Sequence, residues 1–202
     1  MESELGVAAT GEQGSDLRKT KGSHVMQARE WIDTRLGPGT FQSLVQGKGA
    51  IDNPILLPGT WYDVLPLVEA LEVVGKQLNR SVQDMTMEIA RQNALRDLTT
   101  MYRVFLRIAA PVRVMSFTPR LWGNYVAFGQ ATAIRNDPTH YVGECRGVPS
   151  RLLDWASGAW CGFVPAAIEV AGGRDAVGKI TGVWREPGEM RRIQCEVRYR
   201  LP

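Results

Sequence analysis

The last fifty residues constrain the fold more than any other part of the chain. Residues 193–201 alternate apolar and polar side chains almost without fault. The apolar set is Ile193, Cys195, Val197, Tyr199 and Leu201. A period of two with one apolar side is typical of a half-buried antiparallel strand. A turn-forming Glu-Pro-Gly-Glu sequence at 186–189 precedes this strand, so residues 177–201 are predicted to form a β-hairpin.

Helical patterns occupy most of the chain before this hairpin. They cover residues 25–36, 41–46, 63–77, 81–109 and 150–173, with Pro111 ending the fourth helix and Ser150 capping the last. Two strands are predicted at 121–134 and 139–146, joined by a turn at 136–138. The sequence therefore predicts an α+β fold, with N-terminal helices packed on a four-stranded antiparallel sheet and a helix between the two strand pairs.

Composition sets the domain organisation. The chain has 202 residues, of which 44% are hydrophobic, enough for one ordinary core. Residues 1–21 are polar and lack periodicity, so we expect a disordered tail followed by a single ligand-binding-like domain at 22–202. There is no apolar run long enough for a transmembrane segment and no signal core at the N-terminus. An odd number of widely spaced cysteines fits reduced thiols, so a cytoplasmic protein is expected.

The order of these segments resembles a known superfamily. The matching stretches are Lys21-Gly22-Ser23, Trp61-Tyr62, Pro111, Leu121-Trp122, residues 155–168, Gly172-Gly173, residues 177–185 and Cys195-x-Val197-x-Tyr199. Members of the superfamily include haem-NO-binding domains, small-molecule-binding domains related to vinyl reductase accessory proteins, and TRAPP vesicle-transport subunits. More narrowly, the chain is similar to a paralogous protein family abundant in myxobacteria. The resemblance implies a sheet backed by helices, and relatives often hold an apolar ligand between these layers.

Haem is the first cofactor to consider, because some relatives carry it. Haem needs an axial ligand on an apolar wall, and the chain has two histidines, His24 and His140. His24 lies beside the predicted tail, and His140 opens a strand. The helix expected to line a haem pocket presents Met101, Tyr102 and Phe105 instead of histidine, and the tyrosine-serine-arginine motif of haem-NO-binding domains is missing. We therefore expect no haem and no other cofactor.

Metal sites and catalytic motifs are not predicted. Cys145, Cys161 and Cys195 could meet under the final helix, but three buried thiols are the simpler interpretation of this pattern. The segment from Gly173 to Lys179 is close to a phosphate-binding loop, yet Ile180 stands where Ser or Thr is needed. No nucleophile elbow or catalytic triad is recognisable. The sequence therefore predicts no catalytic residues and no enzymatic activity.

Basic residues concentrate on the terminal hairpin. They are Arg185, Arg191, Arg192, Arg198 and Arg200. Aromatic side chains do not alternate with them, and three glutamates dilute their charge. We interpret this surface as a solvated sheet face and predict no nucleic-acid partner. A protein partner with an acidic surface is the alternative.

Aromatic residues give the candidate ligand site. Tyr102, Phe105, Trp122, Trp160 and Phe163 are predicted to wall an apolar cavity between helices and sheet, and a filled core is the alternative. The predicted function is a non-enzymatic cytoplasmic sensory domain that holds a small apolar ligand and signals to a protein partner. The alternative is an interaction or scaffolding module, a TRAPP-subunit-like homodimer that associates through the apolar helix at 64–74.

Overall fold

A computed structural model of the chain describes residues 18–100 and 111–201, and for Thr99 and Thr100 the backbone alone. The helices are α1 (Gly22–Leu36), α2 (Thr40–Val45), α3 (Leu65–Leu78), α4 (Val82–Thr100), α5 (Pro111–Tyr125) and α6 (Leu153–Val170). The strands are β1 (Lys19–Lys21), β2 (Trp61–Asp63), β3 (Gln130–Asp137), β4 (His140–Pro149), β5 (Arg174–Glu186) and β6 (Met190–Arg200). Short 3₁₀ turns lie at Gly49–Asp52 and Ser150–Leu152. The predicted α+β class is confirmed.

The terminal hairpin and its sheet are confirmed. Strands β5 and β6 pair antiparallel, and the sheet order is β3-β4-β6-β5. Every apolar residue of the alternating set is buried except Leu201, which follows β6 and is 45% exposed. Helix α6 connects β4 to β5 and packs on the buried face of this sheet. The predicted arrangement, with a helix between two strand pairs, is therefore correct.

Helix α5 is where the predicted secondary structure was wrong. Pro111 is the first described residue of this helix, and Leu121 and Trp122 lie in its last turns instead of in a strand. Residues 121–126 carry apolar side chains at Leu121, Trp122, Tyr125 and Val126, and a segment this short does not separate the period of a helix from that of a strand. The first strand of the sheet begins later, at Gln130.

The beginning of the domain also differs from the prediction. Lys19–Lys21, placed in the disordered tail, forms strand β1, which pairs antiparallel with β2. Thr20 is fully buried and bridges to Val126 at the end of α5. Three residues assigned to the tail are therefore part of the folded structure. The other tail residues, 1–17, lie outside the described part of the chain.

Helices α4 and α6 pack at very short range. A Cβ placed on Gly162 would lie 2.1 Å from the carbonyl oxygen of Met87, and one placed on Gly158 would lie 2.4 Å from the carbonyl oxygen of Gln83. Both glycines belong to α6, and both oxygens belong to α4. The two backbones therefore touch at positions where any side chain would force them apart. None of the helices in the described ranges is both long and apolar enough to cross a bilayer.

This contact predicts opposite effects for two glycine substitutions. Gly162→Ala should lower the free energy of unfolding by about 1–3 kcal/mol, because the added methyl group overpacks the α4–α6 contact. Gly123→Ala is the matched control, since Gly123 lies in α5 and no atom of the described residues comes within 4 Å of its Cβ position. The control should raise stability by roughly 0.5–1 kcal/mol. Denaturant unfolding measures both values, and equal effects would contradict the described helix packing.

Candidate functional site

The candidate site is built around His24, in the first turns of α1. Strand β1 places Thr20 four residues earlier, and its Oγ1 lies 2.9 Å from His24 Nδ1. The same hydroxyl donates a hydrogen bond to the carbonyl oxygen of Tyr125, at 3.0 Å. Thr20 therefore links α1 to the C-terminal end of α5.

This link determines the tautomer of His24. A carbonyl oxygen cannot donate, so the single hydrogen of the Thr20 hydroxyl is used on Tyr125. The Thr20 oxygen must then accept its second hydrogen bond from His24, which places a proton on Nδ1. In the neutral ring Nε2 carries a lone pair. Nε2 is buried and has no hydrogen-bond partner among the described residues.

The surroundings of His24 are aromatic. Its ring stacks on Tyr125, with centroids 5.1 Å apart and planes at 15°, and meets the Trp155 ring edge-on at 6.1 Å. Burial lowers the pKa of His24 from its ordinary value of 6.5 to about 4. The imidazole is therefore neutral at physiological pH, with Nε2 as an acceptor only.

A small cavity lies beside this ring. Its volume is about 30 Å³. The described residues that line it are His24, Ala90, Thr118, Leu121, Trp122, Tyr125, Val126, Ala159, Trp160, Phe163 and Val164. These residues come from α1, α4, α5, α6 and the residue after α5. Within the described chain, the cavity is thus enclosed by helices, and not by helices and sheet as predicted.

Three of the five predicted wall residues meet in this cavity. Trp122 and Trp160 have ring centroids 5.1 Å apart, and Phe163 packs against Tyr125 at 5.8 Å. The indole N–H of Trp122 donates to the carbonyl oxygen of Phe128 at 2.9 Å, which fixes the orientation of that ring. The remaining two, Tyr102 and Phe105, lie outside the described residues.

His24 was not predicted as a cavity residue. The sequence placed it beside a disordered tail, so its contact with Tyr125, about a hundred residues later, left no sequence signal. The spacing of Thr20 and His24 was the one available clue, and it is weak without knowledge that both residues are structured.

The cysteines do not form a metal site in the described part of the chain. Cys161 of α6 and Cys195 of β6 have their sulfur atoms 3.6 Å apart, whereas Cys145 Sγ lies against Gly129. No group of three potential metal ligands occurs in the described ranges. All three thiols are free and buried. This agrees with the interpretation of the cysteines as small core residues.

The basic hairpin is largely paired with carboxylates of its own sheet. Arg192 lies 3.6 Å from Glu144, Arg198 lies 2.5 Å from Glu196, and Arg200 pairs with Asp175. The first and third pairs join neighbouring strands and the second lies within β6, so all three use these charges locally. The contacts therefore support a solvated sheet face and give no separate anion site.

The comparisons with known proteins concern the fold. A variant of the Cs H-NOX domain with 4-cyano-L-phenylalanine at one site matches with a TM-score of 0.67 and 12% identity, over 90% of this chain and 97% of the other. A T. tengcongensis H-NOX mutant matches with a TM-score of 0.66 and 12% identity, over 90% of this chain and 98% of the other. An oxygen-binding H-NOX domain related to soluble guanylate cyclases matches with a TM-score of 0.63 and 11% identity, over 90% of this chain and 96% of the other. The chain therefore has an H-NOX-like fold.

No protein-family model matches the chain, and no curated protein matches it. The resemblance to TRAPP subunits and to the myxobacterial family stays a prediction. At identities of 11–12%, the structural neighbours establish architecture alone.

Haem does not fit the described residues, although one solved H-NOX structure concerns haem distortion. His140 Nε2 lies 3.1 Å from Glu196 on the sheet, away from the cavity. His24 lines the cavity, but about 30 Å³ is far below the roughly 300 Å³ at which sites for larger organic ligands begin. The described lining also contains no arginine or lysine to receive propionate groups. The prediction that haem is not bound remains to be tested.

His24 should make stability depend on acid pH. Its folded pKa of about 4 lies below the unfolded value of 6.5, so the unfolded chain binds a proton that the folded protein does not. Stability is therefore lost as pH falls from 6.5 towards 4. Between pH 7 and 4.5, the wild type should lose roughly 2–3 kcal/mol more than a His24→Phe variant in denaturant unfolding. Parallel pH curves for the two proteins would contradict this account of His24.

Cys145 should be unreactive in the folded protein. Burial, followed by the nearby charges of Glu186 and Glu144, raises the pKa of its thiol to about 12. The thiolate is the reactive form, so it is nearly absent at neutral pH. Iodoacetamide at pH 8 should leave Cys145 unmodified in native protein and alkylate it in guanidinium, as read by peptide mass spectrometry. Prompt alkylation of Cys145 in native protein would show that its thiol is accessible, and would contradict this prediction.

Proposed function

We propose that this domain binds a small, mainly apolar ligand in the cavity beside His24 and signals its occupancy to a protein partner. The observation that supports this most is a cavity with an aromatic wall that includes His24. The Nε2 atom of this buried histidine has no hydrogen-bond partner among the described residues, and buried polar atoms in native proteins nearly always have partners. The H-NOX-like fold agrees with a ligand-binding role.

The size of the cavity limits the ligand. A water molecule needs about 10–15 Å³ on the same measure, so 30 Å³ accommodates two or three non-hydrogen atoms. Fatty acids and porphyrins are too large for this cavity. The proposed ligand is therefore a very small molecule, comparable in size to a short alcohol.

Occupancy of the cavity can be transmitted through the elements that surround it. Helices α1, α4, α5 and α6 all contribute wall residues, and α6 packs on the sheet. A ligand that prefers one arrangement of these helices shifts the population towards it. This is how the domain would report to a partner, whose identity the fold does not define.

Chemical properties of the described site favour binding over catalysis. A general base works best with a pKa near the working pH, whereas the pKa of His24 is lowered to about 4. The thiol pKa of Cys145 is raised to about 12, which leaves little nucleophilic thiolate. We therefore propose a binding domain and no enzymatic activity.

The scaffolding alternative finds less support. The helix expected to form a subunit contact is α3, and its apolar residues are buried inside this chain. They are Leu67, Val68, Ala70, Leu71 and Val74. Val73, which is 42% exposed, is the one large hydrophobic residue of α3 that remains on the surface. Helix α3 therefore offers little apolar area to a second copy.

Xenon tests the cavity as an apolar binding site. Xenon enters small dry cavities, so it should shift the indole N–H resonances of Trp122 and Trp160 in two-dimensional NMR. Ala90→Val places two methyl groups in the cavity and should abolish these shifts. Ala94→Val is the matched control, because Ala94 is buried one turn later on α4 and is not a described lining residue.

The comparison of the two variants decides the result. Xenon shifts that persist in Ala90→Val, or are missing in the wild type, would contradict the proposed binding site. Loss of the shifts in both variants would show a general disturbance of α4, and would also count against a site specific to the Ala90 wall.

A further inference from the structure

We propose that Cys161 and Cys195 form a redox-active thiol pair, which a small hydroperoxide converts into a disulfide bond between α6 and β6. This modification site is separate from the cavity beside His24, because neither cysteine is among the described residues that line that cavity. The inference therefore does not depend on the proposed ligand. It follows from the contact between the two sulfur atoms, from the packing that brings them together and from the hydrogen bond that they share.

The two sulfur atoms of the pair are already in contact. The Sγ atoms of Cys161 and Cys195 lie 3.6 Å apart, and both thiols are free. A disulfide bond joins sulfur atoms at about 2 Å, so forming one requires the two atoms to approach by roughly 1.5 Å. The third cysteine, Cys145, lies on β4 opposite Ile193, and its sulfur is against Gly129. The structure therefore singles out one pair among the three thiols.

The packing of α6 on the sheet holds the thiol pair in place. Cys195 lies in the middle of β6, where it is paired with Gly143 of β4 and with Ile180 of β5. Gly178, two residues before Ile180, is next to the backbone of Cys161, because a Cβ placed on it would lie 3.2 Å from the Cys161 carbonyl oxygen. The missing side chain at Gly178 thus lets α6 approach the sheet closely enough for its cysteine to reach β6.

The shared hydrogen bond distinguishes the two sulfur atoms. When the Cys195 thiol donates to Cys161, it stabilises the Cys161 thiolate and lowers the pKa of that thiol, against the opposing effect of burial. The same hydrogen bond, together with burial, raises the pKa of Cys195 well above its ordinary value. Since the thiolate is the nucleophilic form of cysteine, Cys161 reacts with the oxidant first and Cys195 then completes the disulfide.

The reaction balances with one hydroperoxide, which is reduced while the two thiols are oxidised. The Cys161 thiolate attacks the terminal peroxide oxygen, the O–O bond breaks, and the departing oxygen takes the proton that Cys161 lost and leaves as water or an alcohol. Cys161 is then a sulfenic acid. The Cys195 sulfur attacks the Cys161 sulfur, the S–O bond breaks, and the hydroxyl group leaves as water with the Cys195 proton. The disulfide joins residues 34 positions apart.

Burial of the thiol pair selects a small oxidant. Cys161 is 5% exposed and Cys195 is 1% exposed. A peptide disulfide such as oxidised glutathione is too large to reach either sulfur in the folded protein, whereas hydrogen peroxide is little larger than a water molecule. The proposed oxidant is therefore hydrogen peroxide or a hydroperoxide of similar size.

Peptide mapping of the full chain tests the thiol pair. Reduced protein is treated with hydrogen peroxide under native conditions, blocked with N-ethylmaleimide in guanidinium and digested with trypsin. The three cysteines fall on different tryptic peptides, at residues 136–146, 152–174 and 193–198. The expected product is a disulfide between peptides 152–174 and 193–198, with Cys145 blocked by maleimide. Two of the three maleimide-reactive thiols are then lost, and reduction restores them.

Two serine variants separate the roles of the thiols. Cys145→Ser is the matched control, since it removes the third buried thiol and leaves the pair intact. It should form the same disulfide as the wild type. Cys195→Ser removes the thiol that completes the disulfide, so peroxide should leave Cys161 as a sulfenic acid, which dimedone traps during unfolding in guanidinium.

Treatment of the unfolded chain provides the comparison for the native result. In guanidinium the three thiols lose their native positions, so peroxide should give a mixture of pairs. The same mixture from native protein, a disulfide that includes Cys145, or three unmodified thiols after native treatment would overturn the proposal. A mixed disulfide of native protein with oxidised glutathione at Cys161 or Cys195 would contradict the selection of a small oxidant.

Discussion

The hydrogen-bonded sequence from His24 through Thr20 to Tyr125 is the interaction on which the site depends. It joins β1 and α1, at the start of the domain, to α5, about a hundred residues later in the chain. Among the described residues, the second imidazole nitrogen has no hydrogen-bond partner. Because burial holds the pKa of His24 near 4, the ring stays neutral.

The close packing of α4 against α6 limits what this site can hold. Gly158 and Gly162 bring the two helix backbones into contact, and Ala90 and Ala159 line the resulting cavity from the same two helices. An H-NOX-like architecture therefore surrounds a cavity of about 30 Å³ instead of a large pocket. Two features of the sequence, small residues on the helices and large rings on α5 and α6, account for this small volume.

Local patterns made much of the architecture predictable. The strand at 193–201 and the long helix before it follow from periodicity within one segment. Trp122, Trp160 and Phe163 line one cavity, while their role as a ligand site stays a prediction. Helix α5 was mistaken in part for a strand, because a segment as short as 121–126 does not separate the two periods. The role of His24 could not be predicted, since it arises from tertiary contacts with Tyr125 and from the ordering of Thr20.

Long-range proton–nitrogen NMR of the histidine side chains tests the central claim most directly. In ligand-free protein at pH 7, the account predicts that His24 carries its proton on Nδ1, with Nε2 resonating as an unprotonated nitrogen. Thr20→Val should weaken this preference. A proton on Nε2, or a doubly protonated ring at neutral pH, would contradict the account.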